Sequence, residues 1–170
     1  EPNEFFRQEL LKLTPGSVLL PAEGEGRNAV FAAKLGWDVH AFDNSSEALK
    51  KSERLAREHN VTLSYRLASF DEIEYPENFF DVIGLFYVHT LARSSYHQKL
   101  IPYLKEGGLI ILEGFSKKQV QNTTGGPRKV EMLFSREELL SDFKDLSLIA
   151  VNEKETELNE GEHHKGEASV

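Results

Sequence analysis

Two stretches of this chain, FDVIGLF at Phe80–Phe86 and LIILE at Leu109–Glu113, are apolar at nearly every position. A strand with one face in water alternates apolar and polar residues. A short run that is apolar throughout has both faces covered. Ser17–Leu20 has the same character, and Trp37–Phe42 and Val61–Leu67 supply two further strands. Helical patterns separate most of these runs, so the strands are expected to lie parallel in one sheet with helices on both sides, an α/β fold. The 39 % hydrophobic content, with eleven Phe among 170 residues, suffices for one core.

The helical segments carry their own punctuation. Glu4–Leu13 places Phe5, Phe6, Leu10, Leu11 and Leu13 near one face before Thr14-Pro15-Gly16 stops it. Asn28–Leu35 is rich in Ala and closes on Gly36. Ser45 or Ser46 caps a helix running to about Asn60. Ser95–Leu104 follows, weakened near its end by Pro102, and Gly107-Gly108 is read as a turn. Gly114–Phe134 reads as a long polar loop, within which Ser116–Pro127 is a candidate substrate cover hinged at Gly125-Gly126-Pro127. Ser135-Arg136-Glu137-Glu138 is a capping box opening a helix to Phe143. Leu146–Leu158 reads as a long strand, and Glu167–Val170 as its returning partner across a polar turn. So tight a return makes the last pair antiparallel. Residues 1–170 are read as a single domain whose ends look clipped.

The exit of the first strand, LLPAEGEGRNAVFAAKLGWDVHAFD at Leu19–Asp43, carries the strongest functional signal. Gly24-Glu25-Gly26-Arg27-Asn28-Ala29 fits G-x-G-x-x-G/A, a turn that lets backbone approach a nucleotide while a helix N-terminus points at it. Asp43 ends the second strand about 20 residues on, the spacing at which a carboxylate accepts from ribose hydroxyls. The same residues also read more plainly, the glycines as a tight turn and Asp43 as a helix cap. Glu23 and Glu25 sit inside the turn. Two carboxylates repel a pyrophosphate and suit a ligand with a cationic centre. That leans away from NAD and toward S-adenosyl-L-methionine, which carries a sulfonium and an ammonium.

The formal charge of −8 disfavours nucleic acid and anionic membrane as partners. It suits a monomer or small homo-oligomer. Without cysteine there is no disulfide and no thiolate metal site. His163-His164 beside Glu162 lacks any supporting cluster and reads as a polar hairpin tip, so no metal is expected. No apolar run approaches the roughly 18 residues of a membrane span. A cytoplasmic location is expected.

PAEGEGRNAV, AAKLGWDVHAFDNS, FFDVIGLFYVH, YLKEGGLIILEGFSK, GGPRKVEMLFS and LNEGEHHKGEASV together resemble the class I S-adenosylmethionine-dependent methyltransferases, within them the tellurite-resistance and thiopurine methyltransferase group. The resemblance covers nearly the whole chain. It implies a doubly wound, mostly parallel, Rossmann-like sheet of seven strands in the order 3-2-1-4-5-7-6, ending in an antiparallel hairpin. It implies a small-molecule methyltransferase with S-adenosyl-L-methionine as cofactor and S-adenosyl-L-homocysteine (SAH) as product. Ala22, Glu23, Gly24, Glu25 and Gly26 then form the methionine-side loop and Asn28 opens the helix beneath it. Asp43 is the ribose acid, Asn44 flanks the adenine, Ser69 and Phe70 form the adenine-side turn, and Phe86 begins the floor beneath the methyl group.

Two positions depart from that pattern. The strand-end acid is replaced by Leu20, and a glycine by Ala22. Ala22 costs little provided its backbone is not left-handed. Glu23 or Glu25 is the candidate replacement for the lost acid.

Methyl transfer is an in-line displacement governed by alignment. A soft nucleophile needs no base; a hydroxyl or amine acceptor can call on one. His89 is the candidate base, with orientation of Tyr87 or a turn cap as its plainer role. Tyr87 either bonds substrate or packs. Two other readings stand beside the methyltransferase: a nicotinamide-dependent oxidoreductase, and a non-catalytic nucleotide-binding module that has kept the fold.

Overall fold

The computed structural model describes residues 1–122, 125–159 and 165–170. The chain divides into two compact units, Glu1–Phe86 with Pro102–Leu112, and Tyr87–Ile101 with Glu113–Val170.

The first unit is built on a five-stranded sheet of β1 (Ser17–Pro21), β2 (Asp38–Asp43), β3 (Ser64–Leu67), β4 (Phe80–Phe86) and β5 (Leu104–Glu113), in the order β3-β2-β1-β4-β5. β1 pairs in parallel with β2 and with β4, and β2 with β3. This is the expected α/β topology, with strand order reversing beside β1. Every residue of β1 is buried, as its unbroken apolar run requires. Pro21 is tolerated as its last residue, where the missing N–H disturbs the ladder least. β3 is shorter than its apolar pattern suggested, because it lies at the sheet edge with most of its residues exposed. Gly107-Gly108 does not form the expected turn ahead of the strand, since β5 starts at Leu104 and runs through both, with Gly107 at φ 76°.

α1 (Glu4–Leu10), α2 (Arg27–Lys34) and α3 (Ser46–Glu58) belong to this unit. α1 starts where the Asn3 side chain accepts from the Phe6 N–H. It buries Phe6 and Leu10 among Val18, Leu20, Ala29, Ala32, Val39, Ala41, Val82 and Ile111. A fully buried Phe such as Phe6 contributes on the order of 1.5–3 kcal/mol by leaving water. Ser45 caps α3 by accepting from the Ala48 N–H. Asp81 ties β4 to its neighbours by accepting from the Ser17 N–H at 2.8 Å and from Lys105 Nζ at 2.8 Å. The Lys105 hydrogen bond, ahead of those from Ser17, holds the Asp81 carboxyl below its ordinary range.

The second unit holds α4 (Arg93–Leu100), α5 (Arg136–Asp142), β6 (Glu155–Asn159) and β7 (Lys165–Ser169). Pro102 leaves α4 no room to continue, and Ile101–Tyr103 forms a 3₁₀ turn instead. The Ser135–Glu138 capping box is present in full. β6 and β7 form the expected antiparallel hairpin as a ladder of their own. Through Ser169, whose carbonyl accepts from the Ser116 N–H at 2.8 Å, the hairpin is joined to the segment after β5.

The long strand expected over Leu146–Leu158 is reduced to β6. Leu148 and Ile149, within the stretch whose alternating character suggested it, are 55 % and 80 % exposed, so nothing rewards their pairing. Within Gly114–Phe134 the described residues are more ordered than a polar loop. They form 3₁₀ turns at Lys117–Gln121 and Val130–Met132, and they include the buried Phe115, Gln119 and Leu133. The tip containing His163 and His164 lies outside the described residues.

Candidate cofactor turn

The turn begins as β1 leaves the sheet. The Glu23 N–H still donates to the Phe42 carbonyl at 3.2 Å, and then the chain turns back through left-handed backbone at Ala22 (φ 49°), Gly24 (φ 66°) and Gly26 (φ 86°). Gly26 is the N-cap of α2 and has no side chain to offer it. Adding a Cβ there would bring it to 2.6 Å from Ser52 Cβ on α3, so the glycine is required both by φ and by the closeness of α3. At Gly24 a Cβ would meet nothing within 4 Å, so on that side the backbone faces open space.

Ala22 was expected to cost little unless its backbone were left-handed. It is left-handed, at a cost of about 1–2 kcal/mol that a glycine there would avoid. Such a cost is held where the surrounding structure over-determines the conformation.

Three side chains fix the turn. Asp43 Oδ2 accepts from the Gly24 N–H at 3.1 Å, and Oδ1 from the Ser45 N–H at 2.9 Å. Asp43 is therefore both the acid beside the glycine turn and part of the entry to α3. Each of its oxygens keeps a second lone pair. Tyr65 of β3 donates its hydroxyl to the Gly24 carbonyl at 2.5 Å. Burial first, then the negative charges of Asp43 and Glu23, raise the Tyr65 hydroxyl's pKa, so it stays a donor. The sequence reading missed Tyr65. Its signal was faint: a tyrosine in an edge strand whose partner strand ends in Asp43.

Glu23 is the third. Half-buried, it supplies what Gly26 lacks: Oε1 accepts from the Ala29 N–H at 2.8 Å, in the first turn of α2. Asn28 Nδ2 lies 3.4 Å from Oε2, and the Asn28 N–H also donates to this carboxyl. Burial dominates these bonds and pushes the carboxyl up to about 7. Glu25, the other candidate for the lost acid, is exposed and paired with Lys51 at 2.7 Å. Buried Asn28 uses its amide oxygen to accept from the Asn3 N–H at 2.8 Å, which ties the start of α1 to the turn.

The remaining expected residues fall at the same ends of the strands. Asn44 is exposed just beyond β2. The Ala68 N–H donates to the Asp43 carbonyl at 2.9 Å, which sets the following residues next to the end of β2. Ser69 donates its hydroxyl to Glu72 at 2.8 Å, and its N–H donates to the same oxygen. Phe70 is buried edge-on against Phe42, with ring centroids 5.1 Å apart. Phe86 is half-buried and packs on Phe6 at 4.9 Å.

The second unit, taken by itself, carries the two expected catalytic residues. Tyr87 has φ 57°, a conformation a bulky residue adopts only under constraint. Its hydroxyl donates to Glu113 Oε1 at 3.0 Å, and its ring lies 4.8 Å from that of Phe115. His89 Nε2 accepts from the Phe115 N–H at 3.0 Å, which places the ring proton on Nδ1, where it donates to the Met132 carbonyl at 2.8 Å. The ring stacks on Phe134 at 4.5 Å. The lone pair that a base would use is already engaged.

What the turn can hold follows from its parts. Positive-φ backbone facing open space admits a ligand at close range, and a helix N-terminus favours a carboxylate. Asp43 suits a pair of hydroxyls, and Glu23 suits a cation rather than a phosphate. A nucleoside bearing an amino acid fits this donor and acceptor set. Among the described residues no group of His, Asp and Glu is placed to hold a metal.

A family model described as a methyltransferase domain matches residues 18–108, more than half of the chain. The chain is 25 % identical over 158 residues to a probable S-adenosyl-L-methionine-dependent methyltransferase, TehB, of Haemophilus influenzae, covering 90 % of this chain and 52 % of that protein. It thus spans about half the length of the curated relatives it matches. Among solved structures, TehB from Haemophilus influenzae superposes with a TM-score of 0.76 at 20 % identity, over 97 % of this chain and 58 % of that one. The plantazolicin methyltransferase BpumL in complex with SAH superposes at 0.58 and 20 % identity, over 81 % of this chain and 51 % of the other.

Proposed function

The chain belongs to the methyltransferase domain family, and on that premise we propose that it transfers a methyl group from S-adenosyl-L-methionine to a small-molecule acceptor by in-line displacement. One observation supports this most: the Ala22–Gly26 turn has left-handed backbone at Ala22, Gly24 and Gly26, and it carries two fixed carboxyls, Asp43 held by the Gly24 and Ser45 N–H groups and Glu23 held by the Ala29 N–H. That pattern of backbone, diol acceptor and cation acceptor matches a nucleoside amino acid better than a dinucleotide. The single-domain reading of residues 1–170 and a cytoplasmic location belong to the same proposal; among the described residues no helix is long and apolar enough to cross a membrane.

When bound, S-adenosyl-L-methionine supplies an electrophilic methyl on a sulfonium leaving group. The protein's share is to orient and to exclude water. In this reading the backbone from Ala22 to Gly26 and the N-terminus of α2 hold the amino-acid end. Asp43 holds the ribose hydroxyls, with Asn44, Ser69 and Phe70 toward the adenine and Phe86 toward the methyl. Tyr87 and His89 enter as positioning residues. His89 ties the segment after β5 to the 3₁₀ turn at Met132, and its tautomer is fixed by both bonds.

Calorimetric titration with SAH and with NADH tests the cofactor. SAH is expected to bind with NADH showing no heat. NADH binding alone would restore the oxidoreductase, and binding of neither would leave a module that has kept only the fold. A screen of thiols, metalloid oxyanions, phenols and amines then identifies the acceptor class. With that acceptor, His89→Gln is expected to lower kcat severalfold while keeping the shape of the pH–rate profile. Loss of a limb of the profile would make His89 a base after all.

A further inference from the structure

We propose that Glu23 receives the α-ammonium of the cofactor in place of the acid that the end of β1 lacks, and that cofactor binding is thereby coupled to release of a proton from this carboxyl. The inference rests on the methyltransferase reading above.

β1 offers no charge at the position where a strand-end acid would stand, because Leu20 is fully buried in the core. The amino-acid end of the ligand carries a cation that a binding site must satisfy. Three acids lie near the turn. Asp43 is fixed at the end of β2 by the Gly24 and Ser45 N–H groups, and its remaining lone pairs are assigned above to the ribose hydroxyls. Glu25 is committed to Lys51 at the surface. Glu23 remains, three residues beyond Leu20 and held at the N-terminus of α2 by the Ala29 and Asn28 amides. All its donors are neutral amides, and among the described residues no cation forms an ion pair with it. A carboxylate has about four acceptor sites, so one stays open for an ammonium.

The groups that face Glu23 are Arg27 and Asn28 on α2 and Tyr65 on β3, with Asp43 of β2 acting on the same tyrosine. Arg27 acts on the carboxyl through space and favours its charged form, but burial outweighs it and pushes the group up to about 7. Near neutral pH the free carboxyl is therefore divided between its two forms. An arriving ammonium favours the anion, so binding expels the proton. Above about 7 the carboxylate is already charged and affinity is at its plateau. As pH falls through that value the free protein must lose a proton to bind, and affinity drops toward tenfold per pH unit.

The test is calorimetric titration of the 170-residue chain and its Glu23→Gln variant. The probes are SAH and 5′-methylthioadenosine, which has the nucleoside but no ammonium. Measurements run from about pH 5.5 to about 7, where an α-amino group stays mostly charged. Glutamine keeps an acceptor for the Ala29 N–H, so the cap on α2 survives while the charge is removed. In the parent, SAH affinity is expected to fall with pH below 7, with a proton released as judged from buffers of different ionisation heat. In Glu23→Gln, SAH affinity is expected to fall at least about tenfold and lose its pH dependence. Methylthioadenosine affinity is expected to change by less than about threefold.

Equal losses for both probes would make Glu23 a helix cap only and overturn the proposal. A flat pH profile with no proton release in the parent would overturn it as well, and that measurement decides the matter even if the variant fails to fold. If the parent binds neither probe at any pH, the methyltransferase reading falls and this inference with it.

Discussion

Replacing Gly26 by alanine is expected to destabilise the first unit by about 2–4 kcal/mol and to weaken SAH binding at least tenfold. Two costs add. At φ 86° a Cβ meets its own backbone, worth about 1–2 kcal/mol. The new methyl would also lie 2.6 Å from Ser52 Cβ and 3.0 Å from Ser52 Cα, so either α3 retreats or the turn does. Neither motion is free. α3 is anchored at its start by Ser45, whose N–H donates to the same Asp43 that holds the Gly24 N–H. Gly24→Ala supplies the control. It shares the positive φ, 66°, but its Cβ has nothing within 4 Å, so only the backbone cost of about 1–2 kcal/mol applies. Urea unfolding of both variants, with SAH titration of each, reads the difference. Equal stabilities for the two would show that close packing of α3 against the turn does not matter.

The second large effect is expected at Asp142. Asp142→Ala should cost the second unit about 3 kcal/mol or more. Asp142 ends α5 and is 3 % exposed. Its Oδ2 accepts from Arg93 Nε at 2.7 Å and from His97 Nδ1 at 2.8 Å, both on α4. Removing it leaves a mostly buried guanidinium with Glu138, at 3.1 Å, as its remaining carboxylate. Burial by itself would raise the Asp142 carboxyl, but the hydrogen bonds from Arg93 and His97 outweigh it and hold the group below its ordinary range. Burial lowers His97 below the usual imidazole range, so it stays neutral and donates its Nδ1–H.

The signs then agree. A depressed acid stabilises above its unfolded value and loses that contribution as pH falls through its folded one. A depressed histidine adds a loss as pH falls below about 6.5. The contribution of the α4–α5 clamp should therefore decline on acidification, in two stages, and the Asp142→Ala variant should lack Asp142's share of the lower one. Chemical denaturation at neutral and acidic pH checks both statements. A variant as stable as the parent at neutral pH would mean that the α4–α5 clamp contributes nothing net.

Much of the fold was legible because it depends on local patterns. The unbroken apolar runs of β1 and β4, the caps at Ser45 and Ser135 and the tight return before β7 each specify their element without help from distant residues. Errors clustered where a pattern lacked a partner. Leu148 and Ile149 lie in a stretch that alternates as a strand should, yet they stay exposed. Val61–Leu63 look like the start of β3, yet an edge strand does not reward pairing there. The polar stretch after β5 looked solvated, yet Gln119 is buried, its Oε1 accepting from the Ser169 N–H at 2.8 Å, fifty residues away. Its glycines are likewise set by packing, since a Cβ on Gly126 would lie 2.8 Å from the Phe115 ring.

The sequence by itself determined the strand–turn–helix unit, the acid at the end of β2 and the acidic character of the turn, because spacing along the chain suffices to place residues that follow one another through regular structure. Only the tertiary structure decided what each carboxylate is for. Glu23 and Glu25 are two residues apart and chemically identical, but Glu23 turns in toward the amides at the start of α2 while Glu25 turns out to Lys51 on α3. His89 has the chemistry of a base, but the Phe115 amide, twenty-six residues on, takes the lone pair that role needs. A side chain's protonation and direction are set by the groups that surround it, and those arrive from elsewhere in the chain.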